Sequence, residues 1–293
     1  MINYIQKKFS YSFMQLFPTL ENKNTMRSRH FIFFLLLLSS TAFSQENENP
    51  HRKLYKTNKV KSVKVYDYGY KDGEAKGKGK LLFSYTYDTT GSLIVSDSYI
   101  PRKFHEEYVY NERGEIADEI ADIAGPFHTY FYYEYDAKGR MTEKSKGHDG
   151  GKWLYTYDDA GNKVIEKWFY MGNLDTNSYF TDYFEYNDKK QLTKMTRHSG
   201  DGSVYFYKNF GYDVAGNLLQ ETRYENNTKT DIFLYRYDAN HNCIEQETFG
   251  PKQEKPNTWN KTVYDARGLE TEETGLLSVE EKPYYRKYVY EYY

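Results

Sequence analysis

Tyr155-Thr156-Tyr157-Asp158-Asp159-Ala160-Gly161-Asn162 is one copy of a unit, Tyr-x-Tyr-Asp-x-x-Gly-x-apolar, that recurs along this chain. It is equally clear at Tyr85-Thr86-Tyr87-Asp88, with Gly91 and Leu93, and at Tyr133-Glu134-Tyr135-Asp136, with Gly139 and Met141. Looser copies end at Tyr110, Tyr186, Tyr212, Tyr237, Tyr264 and Tyr290, so the anchor tyrosines follow one another at intervals of 22 to 29 residues. A period of this kind marks a repeat architecture. The residues before each anchor alternate: Leu81, Phe83, Tyr85 and Tyr87 share one side, as do Trp153, Tyr155 and Tyr157, or Phe233, Tyr235 and Tyr237. Period two in β-forming residues reads as strand rather than helix.

The Asp-x-x-Gly that follows reads as a turn. Asp88, Asn111, Asp136, Asp158, Asn187, Asp213, Asp238 and Asp265 hold its first position, where the side chain bonds the backbone two residues on. Gly91, Gly114, Gly139, Gly161, Gly216 and Gly268 hold its last, where a left-handed residue closes a short hairpin. Lys190 and His241 occupy that place in two copies and are expected to be strained there. A second strand then returns from an apolar slot (Leu93, Ile116, Met141, Leu192, Leu218 or Cys243). Lys163 and Glu270 break the slot, with Val164 and Leu269 beside them as substitutes. Glu143, Glu166, Glu221 and Glu245, just beyond it, are expected to face solvent opposite a cross-strand Lys or Thr.

These parts assemble into an all-β, repetitive antiparallel meander of hairpins. Residues 85–293 hold the repeats, and residues 45–84 supply N-terminal strands as a cap. Neighbouring strands twist by ~20–25°, and a closed barrel of so many strands would leave a wide lumen. A curled or spiralling sheet with the Tyr/Leu face inward is therefore expected. A propeller would need two of these units for each blade of ~40–45 residues.

Residues 26–44 read as a secretory signal peptide: Arg27, Arg29 and His30, then the apolar run Phe31–Leu38, then Ala42-Phe43-Ser44 before Gln45. The apolar run is far short of the ~20 residues that span a bilayer, so no membrane span is expected after cleavage. Residues 1–25 carry no repeat pattern and read as a misassigned upstream segment, with the true start at Met26. The expected location is secreted, periplasmic or at the cell surface. The formal net charge of −2 becomes more negative once the basic leader is removed, which argues against nucleic acid. Cys243 is the single cysteine, so no intrachain disulfide forms.

Tyr157-Asp158-Asp159-Ala160-Gly161-Asn162 and Tyr212-Asp213-Val214-Ala215-Gly216-Asn217-Leu218 resemble the YD repeat of the RHS (rearrangement hotspot) family. The resemblance covers about residues 85–293. It implies a spiralling β-sheet shell, and large members of the family enclose toxin domains or serve in cell adhesion. This chain has too few repeats for a closed cocoon and shows no Asp-Pro-x-Gly-Leu segment before its end.

No chemistry stands out. The histidines lack metal-ligand spacing, and Cys243 has no partner. The repeated Asp residues could line up for calcium, but the dense Gly-Gly-x-Gly-x-Asp units of calcium-binding β-rolls are absent. Gly73–Lys80 reads as a basic turn, not a phosphate loop, and no nucleophile sits beside a base. No catalytic residue, cofactor or metal is expected. The remaining candidates are aromatics off the core face or near the longer loops: Tyr130, Tyr132, Trp168, Tyr205, Tyr207 and Trp259. Such rings give contact area at low entropy cost. They point to a secreted, non-enzymatic scaffold that binds a glycan or a protein at the cell surface. The alternatives are an accessory or remnant shell component of an RHS-type toxin system, and an enzyme with an unrecognised site.

Overall fold

The computed structural model describes residues 50–100, 103–122, 126–147, 150–170, 179–277 and 282–293. The leader and the segment before it lie outside the described residues. A short helix, α1 (Pro50–Thr57), leads into eighteen strands among the described residues. The first nine are β1 (Val60–Lys71), β2 (Glu74–Tyr87), β3 (Leu93–Ser98), β4 (Phe104–Tyr110), β5 (Ile116–Asp122), β6 (Pro126–Tyr135), β7 (Met141–Lys146), β8 (Gly151–Tyr157) and β9 (Lys163–Tyr170). The second nine are β10 (Phe180–Tyr186), β11 (Leu192–Ser199), β12 (Val204–Tyr212), β13 (Leu218–Glu225), β14 (Thr228–Tyr237), β15 (Cys243–Phe249), β16 (Thr258–Tyr264), β17 (Glu270–Leu276) and β18 (Tyr284–Tyr292).

Each strand pairs antiparallel with the next, and β18 returns to β1 in a register running from Val60 opposite Tyr292 to Gly69 opposite Tyr284. The sheet is a closed barrel, which corrects the expectation of a curled or spiralling sheet. An open sheet would leave the long strands β1 and β18 as bare hydrogen-bonding edges, and closure alone removes both. The segment expected to be a cap is the closing strand. β1 has 12 residues and serves β18 on one side and β2 on the other, while Val60, Val63 and Val65 are buried. The spiralling shell implied by the YD and RHS resemblance is likewise not formed. The hairpin unit is present, but its copies close a ring.

The turns match their sequence. In the first, Asp88 Oδ1 accepts from the backbone N–H groups of Thr90 (2.8 Å) and Ser92 (2.9 Å), and Gly91 N–H bonds the Asp88 carbonyl. Lys190 and His241 are forced into the left-handed region, at φ 61° and 65°. In all eight Asx-turn hairpins the register then slips by one residue at the second tyrosine; for example, Tyr157 lies opposite Lys163 while Thr156 lies opposite Ile165. This bulge inserts one residue and reverses the parity of the rest of the return strand. Glu166 therefore lies opposite Tyr155, and Glu221 opposite Phe210, on the tyrosine face. Glu143 and Glu245 lie on the other face, paired with Lys152 and Lys261. The expectation that all four face solvent together is corrected by that one-residue slip.

Ladders between successive hairpins stop beside the inserted residue, two residues short of the slot, which leaves the slot residue's carbonyl unpaired. The tyrosine hydroxyl of the next hairpin takes it: Tyr110 bonds the Leu93 carbonyl at 2.7 Å, Tyr157 that of Met141 at 2.8 Å, Tyr186 that of Lys163 at 2.8 Å, and Tyr212 that of Leu192 at 2.9 Å. Tyr133 and Tyr264 do the same for Ile116 and Cys243.

Helix α1 identifies the inside. Tyr55 packs edge-on against Tyr87 at 4.6 Å, and Leu54 and Tyr55 join Val63, Leu269 and Tyr290 in one cluster. Arg52 meanwhile donates to the carbonyls of Thr90 and Gly114. Leu269 and Gly114 are separated by six strand spacings, roughly 29 Å of wall, whereas an eight-residue helix is only about 12 Å long. The wall therefore bends around α1, and the tyrosine face is concave. The opposite, convex face carries the exposed residues Val109, Tyr183, Val263 and Val289.

Tyr186→Phe keeps the ring and leaves the Lys163 carbonyl unpaired. It is expected to cost about 1–2 kcal/mol and to lower the melting temperature by roughly 2–4 °C per kcal/mol. An unchanged melt would remove the hydroxyl from the account of stability. Glu270 is the other measurable point. Burial among Tyr55, Tyr264, Tyr288 and Tyr290, and then the charge of Glu273, push its carboxyl up to about 7. Between its unfolded value near 4.5 and 7, the folded chain holds the extra proton, so stability falls as pH rises through that window and levels off above it. The loss is on the order of 2 kcal/mol once solvent screening is allowed for. Glu270→Gln should flatten denaturant midpoints measured between pH 5 and 8.

Candidate functional site

The concave wall is not uniform along the strands. At the Asx-turn end it holds tyrosines and α1. At the variable-turn end, consecutive strands β6 to β13 present a row of rings and cations. Lys144 lies opposite Trp153 and its ammonium sits 4.7 Å from the Phe131 ring centroid. Trp153 lies opposite Trp168, and Trp168 opposite Phe180, the rings stacked at 6.5 and 5.9 Å. Arg197 then lies over both Phe180 (5.1 Å) and Phe206 (5.3 Å), and Arg223 over Phe206 (4.4 Å). The bulge places the cations here, because it turns the polar return strands inward between aromatic partners.

Most concave cations are paired. Arg197 makes a two-pronged ion pair with buried Asp182 (2.7 and 2.6 Å), which holds its guanidinium above the usual range. Lys208 pairs with Glu221, Arg223 with Glu225, Lys163 with Glu166 and Arg286 with Glu273. Lys144 and Lys146 touch only ring faces among the described residues. Burial lowers the Lys144 ammonium, against the pull of Glu119. The Trp168 Nε1 and Arg223 Nε hydrogens are also buried without a partner among the described residues.

The structure divides the aromatics singled out by sequence. Trp168 and Tyr205 belong to the row: Tyr205 sits at a bulge, with its ring 5.5 Å from Phe180 and 5.8 Å from Phe206. Tyr130 and Tyr132 are on the convex face, 51% and 61% exposed, with Tyr130 stacked on His128. Tyr207 stacks on Tyr224 at 4.6 Å on that same face. Trp259, opposite Glu247 and Leu276, stands apart from both groups. Trp153, Phe180 and Phe206 read as core from their strand face, and the sequence did not single out Lys144, Arg197 and Arg223. The available signal was the recurrence of a cation on the strand next to each ring, which only the bulge brings to one face. No group of three or more His, Cys, Asp or Glu able to hold a metal occurs among the described residues.

No family model matches the chain, and no curated protein matches it. Among solved structures, a porin-like protein from Bacteroides uniformis aligns with 79% of this chain and 98% of its own at 12% identity, with a TM-score of 0.42. A porin-like protein from Bacteroides vulgatus aligns with 79% of this chain and 99% of its own at 13% identity, with a TM-score of 0.32. TarM aligns with 42% of this chain and 21% of its own, with a TM-score of 0.20. Likenesses this distant carry no functional argument.

The tryptophan pair depends on one small residue. A Cβ at Gly151 would lie 2.5 Å from Trp168 Nε1 and 3.2 Å from Trp153 Cη2. Gly151→Ala is expected to push Trp168 off the wall and red-shift indole emission, at an overpacking cost of about 1–3 kcal/mol. An unshifted spectrum would show that the rings are not held by that contact.

Proposed function

We propose that this chain is an exported, non-enzymatic barrel that binds a glycan or protein partner at the cell surface, and that the concave row is its binding surface. The observation that carries the reading is the continuous run Trp153, Trp168 and Phe180 flanked by cations. Flat ring faces in a half-wet wall offer large contact area with little entropy to lose, and nothing in the barrel needs them stacked in that order.

A ring of eighteen strands also has the size of a membrane channel. A lipid-facing wall, however, needs an apolar band ~25 Å tall, where each Lys or Arg at the midplane costs ~2–4 kcal/mol. The convex wall carries Arg236 with Glu245, Lys261 and Glu247, together with Glu185–Lys194, Glu143–Lys152 and Lys287–Glu272. The concave wall is charged as well, so neither face fits lipid. The reading therefore places the barrel in water on the exported side.

Binding of polysaccharides and cell-wall extracts by the purified chain, followed by affinity electrophoresis, tests this. Retardation that Trp168→Ala lowers at least tenfold and Tyr132→Ala leaves unchanged is the expected result. Equal loss in both variants would move the site to the convex face, and conductance steps in planar bilayers would replace the reading with a channel.

A further inference from the structure

Resting on that reading of the concave row, we propose that its ligand is an acidic saccharide chain, whose pyranose faces stack on Trp153 and Trp168 and whose carboxylates meet Lys144 and Lys146. The rings alone would suit any apolar or sugar face. The lysines narrow the class. Every other cation named on the concave wall has a carboxylate within ion-pair distance, whereas Lys144 and Lys146 have only the π faces of Phe131 and Trp153 among the described residues. A desolvated ammonium without a counter-ion is costly, and a ring face returns only part of that cost. A ligand anion would supply the rest.

Spacing points the same way. Lys144, Trp153, Trp168 and Phe180 stand on four consecutive strands, one residue per strand, and strands lie ~4.8 Å apart, about the rise of one pyranose in an extended chain. An extended chain running around the rim would place successive sugars over successive strands, with its charged groups at the Lys144 end. The orphan indole N–H of Trp168 lies within the same stretch. A plain polyanion fits less well, because only Lys144 and Lys146 among the concave cations named are unpaired, and the nearby Glu119 and Glu166 offset part of the Lys144 charge. The anion must therefore arrive on a scaffold that the rings also hold.

The test compares three probes on the full mature chain by titration calorimetry and indole fluorescence: oligogalacturonate, its methyl-esterified neutral form, and polyglutamate. The expected result is that oligogalacturonate binds about tenfold or more tightly than the neutral form and quenches indole emission, while polyglutamate does neither. Lys144→Gln should remove the preference for the acidic form. Lys146→Gln and a salt titration of the unaltered chain give the same reading if Lys144→Gln fails to fold. Equal affinity for acidic and neutral forms would overturn the acidic class and leave the saccharide site standing. Equal binding of polyglutamate would overturn it as simple charge attraction. No binding of either saccharide would overturn both the acidic class and the saccharide reading of the row.

Discussion

The one-residue slip at the second tyrosine of each hairpin governs the rest of this barrel. Without it, a strand that alternates rings and polar residues would send its return partner back with the same parity, keeping charges on one wall and apolar groups on the other. With it, Leu93, Met141 and Leu192 face the rings beside the turn, while Glu119, Lys144, Glu166 and Glu273 face them further along. The slip also ends the ladder to the next hairpin early. The tyrosine hydroxyl that fills the gap joins hairpin to hairpin where main-chain bonds cannot. One local irregularity thus sets both the chemistry of the inner wall and the way the repeats adhere.

Closure follows from a different term. Each hairpin is a marginal unit, and a row of them has two raw edges. The chain meets this with a long first strand and a last strand rich in tyrosine, Tyr284–Tyr292, whose side chains alternate between Glu273 and Tyr55 inside and Lys64 and Glu272 outside. At the Asx-turn end the join is sealed by α1, with Arg52 capping two turns and the α1 backbone against Gly91. A Cβ on Gly91 would meet the Arg52 carbonyl at 2.2 Å, so that glycine is needed for space as well as for its φ of +79°. The opposite end has no such plug among the described residues, and there the aromatic and cationic row lines the rim.

Strand identity, turn chemistry and the misfit of Lys190 and His241 were legible in the sequence because each depends on residues within one hairpin. Closure was not, since it rests on β1 meeting β18 across more than two hundred residues, and nothing in Val60–Lys71 announces its partner. The face of each charged residue was half legible: the expectation that the four acids face solvent is right for Glu143 and Glu245 and wrong for Glu166 and Glu221, and plain parity from the slot misplaces all four because it omits the inserted residue. A β-bulge has no residue signature of its own here, because the inserted positions include Val164, Thr193 and Thr271 alike. Of the aromatics singled out for binding, Trp168 and Tyr205 fall in the row, while their neighbours Trp153, Phe180 and Phe206 were hidden by being assigned to the packed face.

That assignment holds only if an inward residue is a core residue. In a small barrel it is, because the wall fills its own interior. At eighteen strands the circumference outgrows the reach of side chains, and an inward ring has a neighbour on each side but little in front. The half-buried state of Trp153, Trp168 and Phe180 is what such a wall produces. The packed face and the available face are then the same face. The repeat's tyrosines use it for structure at one end of the barrel, where their hydroxyls are tied to carbonyls and α1 lies across them. At the other end the copies diverge, the rings carry no such ties, and the unpaired lysines stand beside them.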